Sequence, residues 1–360
     1  MMRLRVLGAL ILVRAAVPMV GSATGLAYQQ RHAVHMLISD VPETASALTQ
    51  RERNVADALQ LRLKATDAEM VKLLIKHPQA LDLSAENLCA TCDAVQTSLG
   101  MSEGELKRVL SSAPSTLSLN VETTLLPRLL KLCSLMSVDT DALRKIVHRN
   151  PTILTYNVAD NIAPKLDALR SLLILNDGEL RDLVLRYPQV LSFNVHDNLK
   201  PTIEALRVSL GTDEAAVRRL VLAYPSVLGL RIDTTVQPKL DFLSESLQLS
   251  TEERRDVVLR SPAVLGASLE RSLRPNVELW LDQLGERAAL RGLVLRHGPR
   301  FLSCSYEKRT RPRLAEAAGS GVPLAALATK MRLTDTQFQA WLTGARAPTH
   351  DDAEAVAETL

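Results

Sequence analysis

The stretch YPQVLSFNVHDNLKPTIEALRVSLG, Tyr187 to Gly211, carries two prolines 13 residues apart, Pro188 and Pro201. Each belongs to a ladder. Pro114, Pro151, Pro188, Pro225, Pro262 and Pro299 follow one another at intervals of 37 residues, and Pro78 precedes them by 36. A second series, Pro127, Pro164, Pro201, Pro238, Pro275 and Pro312, always stands 13 residues after the first. Self-similarity at a fixed period of this length is the sequence signature of a stacked repeat.

Working outward from those prolines gives the unit. Three residues beyond every first-ladder proline is a leucine: Leu81, Leu117, Leu154, Leu191, Leu228, Leu265 and Leu302. Before the prolines come apolar pairs such as Leu183/Val184 and Leu220/Val221, with Leu180 and Val217 one turn earlier. That spacing predicts a helix whose buried stripe ends at proline. Thr66 with Glu69, Ser102 with Glu105 and Ser250 with Glu253 are expected to start such helices, a hydroxyl and a carboxylate satisfying backbone donors reciprocally. The second ladder opens another helix, for which Thr124, Asn161, Asn198, Thr235 and Ser272 are the expected N-caps. A proline in a first turn loses no intrahelical hydrogen bond. Neither helix can bury its stripe alone, so the expected fold is all-α, a helical-repeat solenoid of about seven 37-residue units. The first unit is atypical: Ala90 fills its second-proline slot, and one residue is missing between Pro78 and Leu99.

Composition bounds the function. The 360 residues hold 43 Lys and Arg against 40 Asp and Glu, a net charge of +3, so the chain is neither a polyanion nor a histone-like polycation. Four cysteines in this length exclude a disulfide scaffold. No apolar run approaches the roughly 20 residues of a membrane span. Residues 1–39 contain no acid, while Arg3, Arg5, Arg14 and Arg31 punctuate apolar stretches such as Val6 to Val13. An organellar targeting segment is expected there, mitochondrial first and plastid second, with a secretory signal as the competing reading. Its removal would leave 39 basic against 40 acidic residues. Residues 40–65 are expected to form a helical cap, 66–343 the repeat array with its C-terminal cap, and 344–360 an acidic, disordered tail.

The charges flanking the second ladder are the candidate site. Arg128, Lys165, Lys200, Lys239, Arg274 and Arg311 with Arg313 stand directly before or after its prolines. A cation in a first helical turn opposes the helix dipole. Its recurrence therefore points to an anionic partner such as phosphate, while Lys200 with Glu204 and Arg274 with Glu278 are spaced to form surface ion pairs instead. Arg149, Arg186 and Arg260 end helices, where a cation is favoured locally. Between Arg291 and Arg313 seven bases face the single acid Glu307, which adds Arg296, Arg300, Lys308 and Arg309 to the expected nucleic-acid-binding set. Tyr156 and Phe193 fall in a slot read as core, so base stacking has little support and a duplex or structured RNA is the favoured partner. Cys89 and Cys92 form one CxxC, and His32 and His35 one HxxH, short of the pairs a structural metal site uses. No glycine-rich phosphate loop or nucleophile with a base at motif spacing is present, so no enzyme, cofactor or metal is expected.

The paired prolines, the tails YPQVL and NLKPTIEALRVSLG, and the closing SYEKRTRPRL and LTDTQFQAWL resemble the mitochondrial transcription termination factor (mTERF) family over about residues 66–343. The resemblance implies a curved superhelix that binds organellar nucleic acid along a basic groove; a monomer without membrane contact is expected. The resemblance also implies a role in transcription termination, RNA processing or ribosome biogenesis. Two readings stand: a regulator acting by occupation, and a structural or assembly protein on ribosomal RNA.

Overall fold

The computed structural model describes residues 49–318 and 320–346, and among these every regular element is helical. The expected targeting segment, His32 and His35, the start of the N-terminal cap and most of the expected tail lie outside the described residues. The chain divides into two compact units, Met1–Ser171 with Leu175–Phe193, and Leu172–Ile174 with Asn194–Leu360. Unit 1 contains α1 Gln50–Leu63, α2 Asp67–Lys76, α3 Ala85–Leu99, α4 Glu103–Ser112, α5 Leu126–Met136, α6 Thr140–Arg149, most of α7 Ala163–Leu173, and α8 Asp177–Arg186. Unit 2 contains α9 Lys200–Leu210, α10 Glu214–Ala223, α11 Gln237–Leu247, α12 Thr251–Arg260, α13 Arg274–Leu284, α14 Arg287–His297, α15 Arg311–Ala317, α16 Leu324–Lys330 and α17 Asp335–Arg346.

The first helix of each repeat packs on the first helix of the next, α2 on α4, α4 on α6 and α6 on α8 in unit 1, and α10 on α12 and α12 on α14 in unit 2. Capping boxes start several of them as the spacing predicts, at Thr66 with Glu69, Ser102 with Glu105 and Ser250 with Glu253, and also at Asn176 with Glu179. Each first-ladder proline opens a short 3-10 turn, and the leucine three residues on is buried in every repeat. These leucines and the stripes of the flanking helices make one continuous core within each unit, closed in unit 2 by Trp280 edge-on to Phe301 at 4.9 Å.

The second helices begin earlier than expected. Their N-caps are Asn120, Asn157, Asn194, Ser268 and Ser305, seven residues before the second-ladder proline, and not Thr124, Asn161, Asn198, Thr235 and Ser272. The chain first makes one wide π-helical turn, in which Leu125 N–H bonds Asn120 O at 2.9 Å across five residues. It narrows to α-helix one residue before the proline. In the first repeat, which lacks that proline, Leu88 N–H bonds Ser84 O across the ordinary four. The missing residue of the first repeat is thus the one that the π turn inserts.

A third ladder, unmarked by proline, closes the second helices. Gly100, Ser137, Ile174, Gly211, Gln248 and Gly285 all have φ between 50° and 72° at successive intervals of 37 residues. This left-handed C-terminal position favours glycine, and half the repeats supply one.

Candidate nucleic-acid interface

The bases beside the second-ladder prolines fall into two geometries. Those directly after the proline turn inward. Arg128 donates to the carbonyl oxygen of Leu154, Lys165 Nζ to Leu191 O at 2.8 Å, and Lys239 Nζ to Leu265 O. Asn276 occupies the same slot and donates through Nδ2 to Leu302 O at 2.8 Å. The acceptor is 26 residues ahead each time. It lies near the end of the next 3-10 turn, where carbonyls lack helical partners. Burial pushes Arg128, Lys165 and Lys239 below their ordinary pKa values, and Lys239 is only 5% exposed.

Magnitudes explain why a cation recurs against the dipole without an anionic ligand. A hydrogen bond from a charged donor is worth about 1.5–3 kcal/mol, whereas an unfavourable dipole costs about 0.3–1 kcal/mol. The clamp outweighs the penalty. Arg313 is the extreme case: 3% exposed, it donates to Met331 O and Leu333 O at 2.8 Å and to Asp335 at 2.7 Å, with its guanidinium over the Phe338 ring at 4.5 Å. Of the bases expected to contact nucleic acid, Lys239 and Arg313 are buried and Arg128 and Lys165 half-buried, and each of these ties successive turns together.

Bases directly before the proline stay outside. Lys200 is exposed and its ammonium has no ion pair or hydrogen bond among the described residues; Glu204, expected as its partner, is taken by Arg207 at 2.6 Å. Arg274 pairs with Glu270 at 3.2 Å, not with Glu278, and lies over Phe242 at 4.9 Å. Arg311 meets Glu307 at 3.4 Å, an exposed pair of the kind that contributes little. Arg149 and Arg260, at helix ends, donate to Leu185 O and Leu295 O of the following repeat at 3.0 and 2.7 Å, which agrees with their structural reading.

The basic stretch near the C-terminus keeps more of its charge available. Arg291 is held by Glu253, but Arg296 and Arg300 are exposed, Lys308 is exposed and Arg309 half-buried, and none of these four has a carboxylate partner among the described residues. Arg332, exposed after α16, lines one cleft with Lys308 and Arg309 although it lies outside either ladder. Sequence reading missed it because no period marks it. Asn276 was legible as the counterpart of Lys239 at 37 residues, but an amide attracts no attention in a search for charge.

Tyr156 and Phe193 are half-buried and not core. The Lys165 ammonium sits 5.1 Å from the Tyr156 ring centre, and Phe193 packs on Tyr187 at 6.1 Å. Among the described residues no aromatic ring is fully exposed. Cys89 and Cys92 share α3; burial drives the Cys92 thiol up to about 12, the state of an inert core sulfur. No cluster of three or more metal-ligating side chains occurs among the described residues, and no described helix is long and apolar enough to cross a membrane.

No curated protein matches the chain. The mTERF family model matches residues 30–285, which takes in six first-ladder prolines from Pro78 to Pro262 and five of the second from Pro127 to Pro275. What such a match implies in general terms is a nucleic-acid-binding regulator of organelles. By its repeat, its helical architecture and this match over most of its length, the chain belongs to the mTERF family.

Proposed function

We infer that this protein binds organellar nucleic acid, duplex DNA or structured RNA, and regulates its expression by occupation and without a catalytic step. One observation carries the reading beyond family membership. Within unit 2, Arg296, Arg300, Lys308, Arg309 and Arg332 lie in or beside the last repeat with no carboxylate partner among the described residues. Uncompensated cations, three of them lining one cleft, in an otherwise near-neutral chain favour a polyphosphate, and each phosphate neutralised releases counterions. Inward clamps at Arg128, Lys165, Lys239 and Asn276 would supply the stiffness that binding by shape requires. The acid-free residues 1–39 support a mitochondrial location.

Crosslinking in isolated mitochondria, followed by sequencing of bound nucleic acid and sedimentation of the complexes, tests this. Discrete DNA or transcript sites away from ribosomal particles are expected. Comigration with ribosomal subunits and recovery of ribosomal RNA alone would replace the regulator with a ribosome assembly role. Absence of the protein from mitochondria would overturn the location.

A further inference from the structure

An open cleft of about 490 Å³ lies within unit 2 at the C-terminal end of the repeats. That is the size class of small-ligand sites, about 300–1,000 Å³. Three cations line it, Lys308, Arg309 and Arg332, together with Ser303 and Ser305, and no carboxylate does. The two nearest acids in sequence are engaged elsewhere, Glu307 by Arg311 and Asp335 by Arg313. Lys308, Arg309 and Arg332 have no ion pair or side-chain hydrogen bond among the described residues, unlike Arg274, Arg291, Arg311 and Arg313.

Another part of the lining is built by close approach. Tyr224 lies against Gly266 so tightly that a Cβ on that glycine would stand 1.9 Å from the phenol oxygen. Only glycine lets the ring lie there and bring a hydroxyl to the cleft. Ala263 and Ala267 line the cleft beside it. Cys304 also lines the cleft, its thiol pushed up by burial and lowered in part by Arg309, Arg332 and Arg313.

We propose that this cleft seats a single phosphate group among Lys308, Arg309 and Arg332, with a hydroxyl donor from Ser305, whose oxygen accepts from Lys308 N–H and whose proton is free, while the Ser303 hydroxyl is spent on the Arg300 carbonyl. Cationic forks and hydroxyls without a competing carboxylate are the chemistry that holds a phosphate oxyanion. Ser303, Lys308, Arg309 and Arg332 all lie beyond residue 285, where the family match ends, so membership does not assign them. Assigning the phosphate to a nucleic acid rests on the function proposed above; the anion site itself does not.

Two measurements on the full chain separate these. In the first, inorganic pyrophosphate at constant ionic strength raises the thermal midpoint of the wild type, and Arg332→Ala and Arg309→Ala abolish the rise; Arg332 is exposed, so its replacement leaves the fold intact. In the second, binding of one oligonucleotide with a 5′-phosphate or a 5′-hydroxyl is followed against salt. A slope reduced by about one in Arg332→Ala with either end assigns an internal phosphodiester. Loss of only the 5′-phosphate advantage assigns a terminal phosphate. Pyrophosphate stabilisation that depends on Arg332 in a protein that binds no nucleic acid would keep the phosphate site and sink the proposed function. An unmoved midpoint together with an unchanged slope in both variants overturns the site.

Discussion

The Lys239 ammonium and the Leu265 carbonyl, 26 residues apart in sequence, meet in a buried hydrogen bond, and Asn276 repeats it with Leu302 one repeat later. A cation and a neutral amide do the same work, so the slot selects for a donor and not for charge. The positions that look most like a phosphate ladder are in fact the mortar between repeats.

Lys239 and Lys200 should therefore behave oppositely. Lys239→Ala leaves Leu265 O without its donor and is expected to cost about 1–3 kcal/mol in urea unfolding. Its effect on the salt slope of nucleic-acid binding should be nil. Lys200→Ala, at an exposed side chain, should change stability by less than about 0.5 kcal/mol. A Lys239 variant of wild-type stability and flattened slope would return that residue to the interface.

Arg313 should prove the most sensitive cation in the chain. Its replacement by Ala removes donors from Met331 O and Leu333 O and the link to Asp335, which join α15 to the segment leading into α17. A loss of more than about 2 kcal/mol is expected from charged hydrogen bonds of this kind. Lysine should not rescue it, because one ammonium cannot reproduce a planar fork aimed at several carbonyls. Full rescue by Arg313→Lys, read by thermal unfolding, would show that charge alone is what matters there.

Much of the fold was legible because proline and leucine leave periodic marks. Pro188 and Leu191 announce a helix end and a buried turn, and both are where the spacing puts them. The π turn was not legible, since Asn120 and Thr124 are equally good caps by residue type and only the backbone winding separates them. The left-handed ladder was hidden for a related reason: Ser137, Ile174 and Gln248 break the glycine pattern of Gly100, Gly211 and Gly285. At the candidate site, charge showed where bases recur but not which way they turn. Orientation depends on the orphan carbonyl 26 residues ahead, a partner that no side-chain pattern reveals.

Ile174 is the costly member of that ladder. Its β-branched side chain is held at φ 50° and is 69% exposed, so burial offers little compensation. A left-handed residue other than glycine carries a penalty of about 1–2 kcal/mol, while glycine gives back about 0.5–1 kcal/mol in unfolded-state entropy. Ile174→Gly should stabilise the protein by roughly 0.5–1 kcal/mol, a few degrees or less in thermal midpoint for a chain of this size. The bond from Arg218 Nε to the Ile174 carbonyl uses only the backbone of Ile174 and should survive. A lowered midpoint would mean that the exposed isoleucine makes a contact worth more than its strain.

Cys92 gives the chain a specific weakness to alkali. Its side chain is fully buried in α3, and burial raises the thiol from 9.0 to about 12, with Arg62 opposing the rise. In the unfolded chain the thiol loses its proton near its ordinary value. Between those limits the folded state holds a proton that the unfolded state has released, so stability falls as pH rises. The contribution is complete below 9.0 and is lost on the way to 12. Cys92→Ala should cost on the order of 1 kcal/mol at neutral pH through lost packing. Above about pH 9 its stability should decline less steeply than that of the wild type. Every other group is common to both proteins, so the difference isolates Cys92. Urea midpoints from about pH 8 to 10.5 decide the matter: parallel declines would mean that the Cys92 thiol reaches solvent and ionises without unfolding.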